Sequence, residues 1–262
     1  MDMLYKGFFK LIVMVFAIVA LAPNCRAQGT KAVGYKAKVT ATFPHYEKAY
    51  TQGLFFYKGR LYESSGQYGQ SFFHEVDLIK GSTLRSFNLA PKYFAEGAVV
   101  LNDKLYILTW MEMEVLVYDI NTLRQVGKLF NRREGWGLTT DGRSLISTDG
   151  SSNIFFHDPS TFADQSRIEV TLNGKPLSQL NELEYINGEI WANVYGTDMI
   201  VIINPLTGIV RATVDCTGLL PLRLRKPDTD VLNGIAYDPE NQHIYVTGKY
   251  WPRMFRIELV KL

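Results

Sequence analysis

The sequence predicts an all-β fold, a five-bladed β-propeller, and three observations carry that prediction. One motif recurs five times at near-constant spacing. Each recurrence reads as short apolar strands joined by tight turns. No stretch sustains a 3.6-residue apolar period, so helices are expected to be minor.

The recurrences begin at Gln52-Gly53-Leu54, Glu96-Gly97-Ala98, Trp136-Gly137-Leu138, Asn181-Glu182-Leu183 and Asn233-Gly234-Ile235, with starts 44, 40, 45 and 52 residues apart. A hairpin signal follows each start: Lys58-Gly59, Asn102-Asp103, Asp141-Gly142, Asn187-Gly188 and Pro239-Glu240-Asn241. Second strands come next, such as Leu105-Tyr106-Ile107 or Ile244-Tyr245-Val246, then third strands such as Ile200-Val201-Ile202-Ile203. Turn residues such as Pro205-Leu206-Thr207-Gly208 lead to a fourth. Four strands per repeat of about 40–45 residues is the arithmetic of a propeller blade. The last repeat has room for only three strands before Leu262. The alternating segment Tyr35–Phe43 is expected to supply its fourth strand, closing the ring and removing a sheet edge.

Ahead of that strand the chain reads as an export signal. Lys6 and Lys10 are basic, Leu11–Ala22 is an unbroken apolar run of 12 residues, and Cys25-Arg26-Ala27 has a small-x-small cleavage pattern. The run is short for a bilayer span and right for a signal peptide. The expectation is therefore a signal peptide over 1–27, and a single propeller domain over 28–262 in the periplasm or outside the cell. A lipidated Cys25 or an uncleaved membrane anchor are the alternatives. Without residues 1–27 the chain is formally neutral, so no nucleic-acid footprint is expected. Only Cys216 then remains, which excludes an intramolecular disulfide. A closed ring leaves few free edges, so a monomer is expected.

In a propeller the first strand of every blade lines the axis, so Gln52, Glu96, Trp136, Asn181 and Asn233 should form a ring at the channel mouth. The ends of the second strands add Gly66, Trp110, Gly150, Tyr195 and Lys249. Polar lining is ordinary in a wet channel. One carboxylate and one ammonium inside a box of Trp110, Trp136 and Tyr195 is less ordinary, and fits a small ligand with a polar end. A carboxylate among aromatics should have a raised pKa and can work as acid and base, although Lys249 could serve merely as its salt-bridge partner. The four histidines (His45, His74, His157, His243) fall in no ligand spacing, which argues against zinc. Glu96, Asn181, Asn233 and Gln52 are oxygen donors facing one channel, so a structural calcium ion stays open.

The residues also carry a resemblance. Tyr50-Thr51-Gln52-Gly53-Leu54, Glu63-Ser64-Ser65-Gly66, Glu96-Gly97, Gly135-Trp136-Gly137-Leu138-Thr139-Thr140-Asp141-Gly142, Asn181-Glu182-Leu183-Glu184-Tyr185, Trp191-Ala192-Asn193-Val194, Val231-Leu232-Asn233-Gly234-Ile235-Ala236 and Val246-Thr247-Gly248-Lys249 span all five repeats. In these segments the chain resembles the glutaminyl-peptide cyclotransferases of the plant and bacterial type, which are five-bladed propellers. The resemblance implies cyclisation of an N-terminal glutamine to pyroglutamate with release of ammonia, on peptide or protein substrates and with no cofactor required. It implies that Glu96 is the catalytic acid/base, that Gln52, Asn181 and Lys249 are polar site residues, and that Trp110 and Trp136 are walls. Tyr195 stands where the plant enzymes usually have Trp, and Tyr50 where Phe is common. Lys249, Asn181, Gln52 and the indole N–H groups are the candidate donors to the oxyanion. A calcium-dependent lactonase-like hydrolase and a non-catalytic peptide-binding propeller are the competing functions, because fold alone does not choose among them.

Overall fold

The computed structural model describes residues 31–262; the signal and cleavage patterns lie outside the described residues. The chain opens with β1 (Val33–Pro44). Blade 1 follows as β2 (Thr51–Tyr57), β3 (Arg60–Ser65), β4 (Phe72–Asp77) and β5 (Ser82–Asn88). Blade 2 is β6 (Ala95–Leu101), β7 (Lys104–Thr109), β8 (Glu114–Asp119) and β9 (Gln125–Phe130). Blade 3 is β10 (Leu138–Thr140), β11 (Leu145–Thr148), β12 (Asn153–His157) and β13 (Asp164–Glu169), followed by a two-stranded ribbon, β14 (Thr171–Leu172) with β15 (Lys175–Pro176). Blade 4 is β16 (Leu180–Ile186), β17 (Glu189–Val194), β18 (Met199–Ile203) and β19 (Val210–Asp215). The last blade is β20 (Leu232–Asp238), β21 (His243–Gly248) and β22 (Arg253–Lys261).

The predicted closure is what forms. β1 lies antiparallel on β22, from Tyr35 opposite Lys261 to Pro44 opposite Arg253, and completes the fifth blade. It also pairs in parallel with β19 of blade 4, Val33 with Ala212 through Lys36 with Asp215, so blades 4 and 5 share one sheet. No local pattern in the sequence marks that second edge. The predicted turns take the left-handed backbone that Gly, Asn and Asp tolerate: Lys58 and Gly59, Asn102 and Asp103, and Asn187 and Gly188 all have positive φ.

The innermost strands β2, β6, β10, β16 and β20 touch in a ring. A glycine after the ring residue permits this. A Cβ on Gly97 would sit 2.3 Å from the Leu138 nitrogen, and one on Gly137 would sit 2.2 Å from the Asn181 carbonyl oxygen. Repeat four has Glu182 in that place. Its buried carboxyl accepts from the backbone N–H groups of Leu54 (3.3 Å) and Ile235 (2.8 Å), tying blade 4 to blades 1 and 5 across the axis. Apolar side chains fill the spaces between blades, as where Phe55, Tyr62 and Phe73 stack beneath Ala98, Val100 and Leu105.

Candidate active site

Four of the five inner strands begin with an irregularity in pairing, at Thr51/Gly53, Ala95/Ala98, Leu180/Leu183 and Leu232/Ile235. A bulge inserts a residue and re-aims its side chain. The residues inserted are the predicted ones: Gln52, Glu96, Asn181 and Asn233. In blade 3 Trp136 precedes β10, its N–H bonded to the Thr148 carbonyl and its own carbonyl accepting from Gly97. One cavity of about 300 Å³ sits over them, lined by Tyr50, Gln52, Gln67, Phe94, Glu96, Trp110, Trp136, Asn181, Tyr195 and Lys249.

Glu96 lies at its base, buried at 5% exposure. Its Oε1 accepts from Gln52 Nε2 at 3.0 Å. Burial pushes its pKa well above the ordinary carboxylate value; the Lys249 ammonium opposes this, and the Glu134 and Glu112 carboxylates add to it. Gln52 is itself held, since Asn233 Nδ2 donates to the Thr51 carbonyl (2.9 Å) and to Gln52 Oε1 (3.3 Å). Asn233 therefore does not line the cavity, and acts on it through Gln52. Asn181 does line it. Its Oδ1 is buried without a hydrogen-bond partner, which leaves its Nδ2 as the end open to the cavity.

Lys249 is also buried, at 2% exposure. Its backbone pairs with Asp230 and Val231 on the neighbouring loop. Its Nζ lies 4.3 Å from the centre of the Tyr50 ring and 5.2 Å from that of Tyr195. Among the described residues it forms no ion pair, so the salt-bridge role considered for it with Glu96 is not what the geometry gives. Desolvation lowers its pKa to about 8, against the pull of Glu96 and Asp230. It is an ammonium held by aromatic faces with its N–H groups uncommitted.

The indole N–H groups are not free in this way. Trp110 Nε1 and Trp136 Nε1 both donate to Glu134 Oε2, at 3.0 and 3.2 Å. They are therefore withdrawn from the candidate oxyanion donors. The aromatic lining continues through Tyr50 on Phe94 (6.1 Å), Phe94 on Trp110 (5.5 Å) and Trp136 on Tyr195 (5.7 Å), all edge to face. Among the described residues no group of three or more His, Cys, Asp or Glu side chains is placed to hold a metal ion. His45 and His74 instead clamp buried Glu63, at 3.0 and 2.7 Å.

Comparison with known proteins fits this geometry. The glutamine cyclotransferase family model matches residues 10–259. The chain belongs to the glutamine cyclotransferase family. The Arabidopsis thaliana glutaminyl-peptide cyclotransferase is 40% identical over 229 residues, covering 85% of this chain and 71% of that one. The crystal structure of Myxococcus xanthus glutaminyl cyclase superposes with a TM-score of 0.83 at 33% identity, covering 88% of this chain and all of that one. The protein is thus an enzyme, a transferase of the glutaminyl cyclase kind.

Of the residues expected for a member of this family, Tyr50, Gln52, Glu96, Trp110, Trp136, Asn181, Tyr195 and Lys249 meet at one cavity. Phe94 and Gln67 in the lining, and Glu134 as acceptor of both indoles, are additions that the structure makes to the expected residues. A signal for two of them exists. Phe94 and Glu134 stand two residues before the ring positions Glu96 and Trp136, as Tyr50 stands two before Gln52. These residues occupy the loops that enter each blade, and the loops' backbones pair with the second-ring residues: Tyr50 with Gly66, Phe94 with Trp110, Gln179 with Tyr195.

Proposed function

We propose that this enzyme cyclises the N-terminal glutamine of peptides and proteins to pyroglutamate, with Glu96 as the proton-transfer group and no metal in the chemical step. The observation that supports this best is the one carboxyl of the cavity lining, buried and of raised pKa, bonded to an amide donor and walled by aromatics, with an unpaired ammonium in the same cavity. Both reactants sit on one substrate residue, so the pocket has mainly to fold the side chain back and hold it. The α-amine, with an ordinary pKa of about 7.7–8.0, has a neutral fraction near pH 7. Its nitrogen attacks the γ-carboxamide carbon and the amide oxygen becomes an oxyanion. Glu96 takes one proton from the attacking nitrogen and gives one to the departing nitrogen, which leaves as ammonia as the carbonyl reforms. The net protonation of Glu96 is unchanged. Lys249 Nζ and Asn181 Nδ2 are the donors available to the oxyanion. Gln52 orients Glu96.

The same proposal has the chain exported on residues 1–27 and working as a monomer, on the strength of the apolar run and the closed ring. The test of the function is ammonia release from a Gln-initiated dipeptide, with and without EDTA. Release that survives EDTA supports the scheme. Loss restored by Ca²⁺ without loss of folding would transfer the chemistry to a metal. No release from folded protein would favour a binding module.

A further inference from the structure

The wall of the cavity is a belt with two charged clasps. On one side the aromatic contacts are continuous from Tyr50 through Phe94 to Trp110, and separately from Trp136 to Tyr195. The Lys249 ammonium joins one pair of ends, between Tyr50 and Tyr195. Trp110 and Trp136 make no ring contact with each other among the described residues; what joins them is Glu134 Oε2, which accepts from both indoles. Glu134 makes no ion pair among the described residues, although Arg133 is its neighbour. Arg133 is turned away onto the Phe155 ring at 3.7 Å and pairs with Asp164 at 2.8 Å. The backbone beside Glu134 is fixed, because the Gly135 N–H is shared between the carbonyls of Thr109 and Trp110. A Cβ on Gly135 would lie 2.6 Å from the Thr109 oxygen, so the loop packs directly against the end of β7.

We propose that Glu134 is a positioning residue of this site, whose single carboxylate oxygen gathers the N–H groups of Trp110 and Trp136 and fixes the two indole walls in one orientation. An isolated surface carboxylate would gain little from either contact alone. Two donors on separate blades sharing one charged acceptor restrict both rings at once, and charge-assisted bonds are the stronger kind. The ordering is complete before the substrate arrives, so binding does not have to supply it. The clasp also sets which face of each ring meets the substrate. With both N–H edges drawn to the rim, the cavity is offered apolar ring surface. Its donors are left to Lys249 and Asn181 at the base. Glu134 is exposed and touches no reacting atom, so its effect runs through the walls.

The proposal rests on the cyclase reading for its kinetic arm only. Two variants separate its parts. Glu134→Ala removes the acceptor; Glu134→Gln keeps an acceptor oxygen and removes the charge. In Glu134→Ala we expect KM for a Gln-initiated dipeptide to rise about tenfold, the equivalent of about 1.4 kcal/mol, with a smaller change in kcat. Glu134→Gln should recover most of that loss. The independent arm is the indole ¹⁵N–¹H spectrum, in which the chain's four tryptophans give four signals. Two of them should move in Glu134→Ala. The signal of Trp251, bonded to the Asp230 carbonyl, should stay. Unmoved indole signals in folded Glu134→Ala would overturn the clasp. So would moved signals with unchanged KM, since the walls would then not need it. Glu134→Gln as impaired as Glu134→Ala would assign the effect to charge and overturn positioning. If the wild type releases no ammonia, the cyclase reading fails while the spectra still decide the clasp.

Discussion

Replacing Glu96 with Gln tests the proposed chemistry with little disturbance to the site. The carboxyl is buried and has one strong partner, Gln52 Nε2, at 3.0 Å. A glutamine carboxamide has nearly the same shape, and its oxygen can accept that bond. The aromatic belt and Lys249 should therefore stay in place, and substrate binding should change little. What is lost is a group that can take and return a proton. General acid–base catalysis contributes about 10²–10⁴-fold, or about 2.7–5.5 kcal/mol of barrier. We expect kcat to fall on that scale while KM stays within a few-fold. Stability provides a second check. An acid whose folded pKa is raised binds more protons folded than unfolded, so stability falls as pH rises from its unfolded pKa towards its folded one. Glu96→Gln removes that contribution, so the variant should be no less stable than wild type at pH 8 and should lose less stability between pH 5 and pH 8. The assay is steady-state ammonia release beside urea denaturation at the two pH values. A folded variant with kcat within tenfold of wild type would remove Glu96 from the proton-transfer role.

The ammonium of Lys249, with its pKa lowered to about 8, should be lost as pH rises through that value. kcat/KM should then fall on the alkaline side, and Lys249→Arg, slower but permanently charged, should lack that limb; a limb kept by the arginine variant belongs to another group. Glu184, buried on the axis and pushed up to about 8 by desolvation, should make the protein lose stability between about pH 4.5 and pH 8, by an amount on the order of a few kcal/mol at about 1.4 per pKa unit. Glu184→Gln should flatten that decline, and an unchanged slope in urea titrations would refute the assignment. Gly137→Ala puts a Cβ 2.2 Å from the Asn181 carbonyl oxygen. Overpacking of this kind costs about 1–3 kcal/mol, or a Tm loss of about 2–12 °C for a chain of this size, and should lower kcat through Asn181. Gly127→Ala, where a Cβ meets nothing within 4 Å, is the control.

The fold was legible because a propeller repeats its reasons. Each blade needs a hairpin turn, an apolar second strand and a small residue where inner strands meet, and Lys58-Gly59, Leu105-Tyr106-Ile107 and Gly97 announce these locally. Gln52, Glu96, Asn181 and Lys249 were legible for the same reason, since equivalent positions in a ring must converge. Two kinds of feature were hidden. The pairing of β1 with β19 depends on where two blades' edges fall in space, and no local pattern encodes it. The destination of an indole N–H is likewise a tertiary fact. Glu134 reads in the sequence as one acid in an Arg-Arg-Glu loop, and only the approach of blades 2 and 3 makes it the acceptor of both rings. Asn233 is a related case: its ring position is readable in the sequence, but that its Nδ2 holds Gln52 is known only from the fold.

The composition of the first ring bears on why one carboxyl can be tuned here. Four of the five equivalent positions line a largely apolar cavity, where a second carboxylate would dominate the titration of the first. The ring holds Glu96 with Gln52, Asn181, Asn233 and Trp136. Three amides provide hydrogen-bonding capacity without charge, and two of them are chained, Asn233 to Gln52 to Glu96. The other acids of the inner strands stand off the ring. Glu182 is turned to the axis, where backbone N–H groups occupy both of its oxygens, and Glu184 lies further along the same strand. The only ammonium in the cavity lining, Lys249, is held by ring faces and leaves the carboxyl unclamped. A direct ion pair would hold Glu96 ionised and too weak a base for a proton relay near neutral pH. Burial raises its pKa, a nearby but unpaired ammonium limits the rise, and the chained amides fix its direction. These requirements explain the residue type at each ring position better than polarity of a wet channel alone.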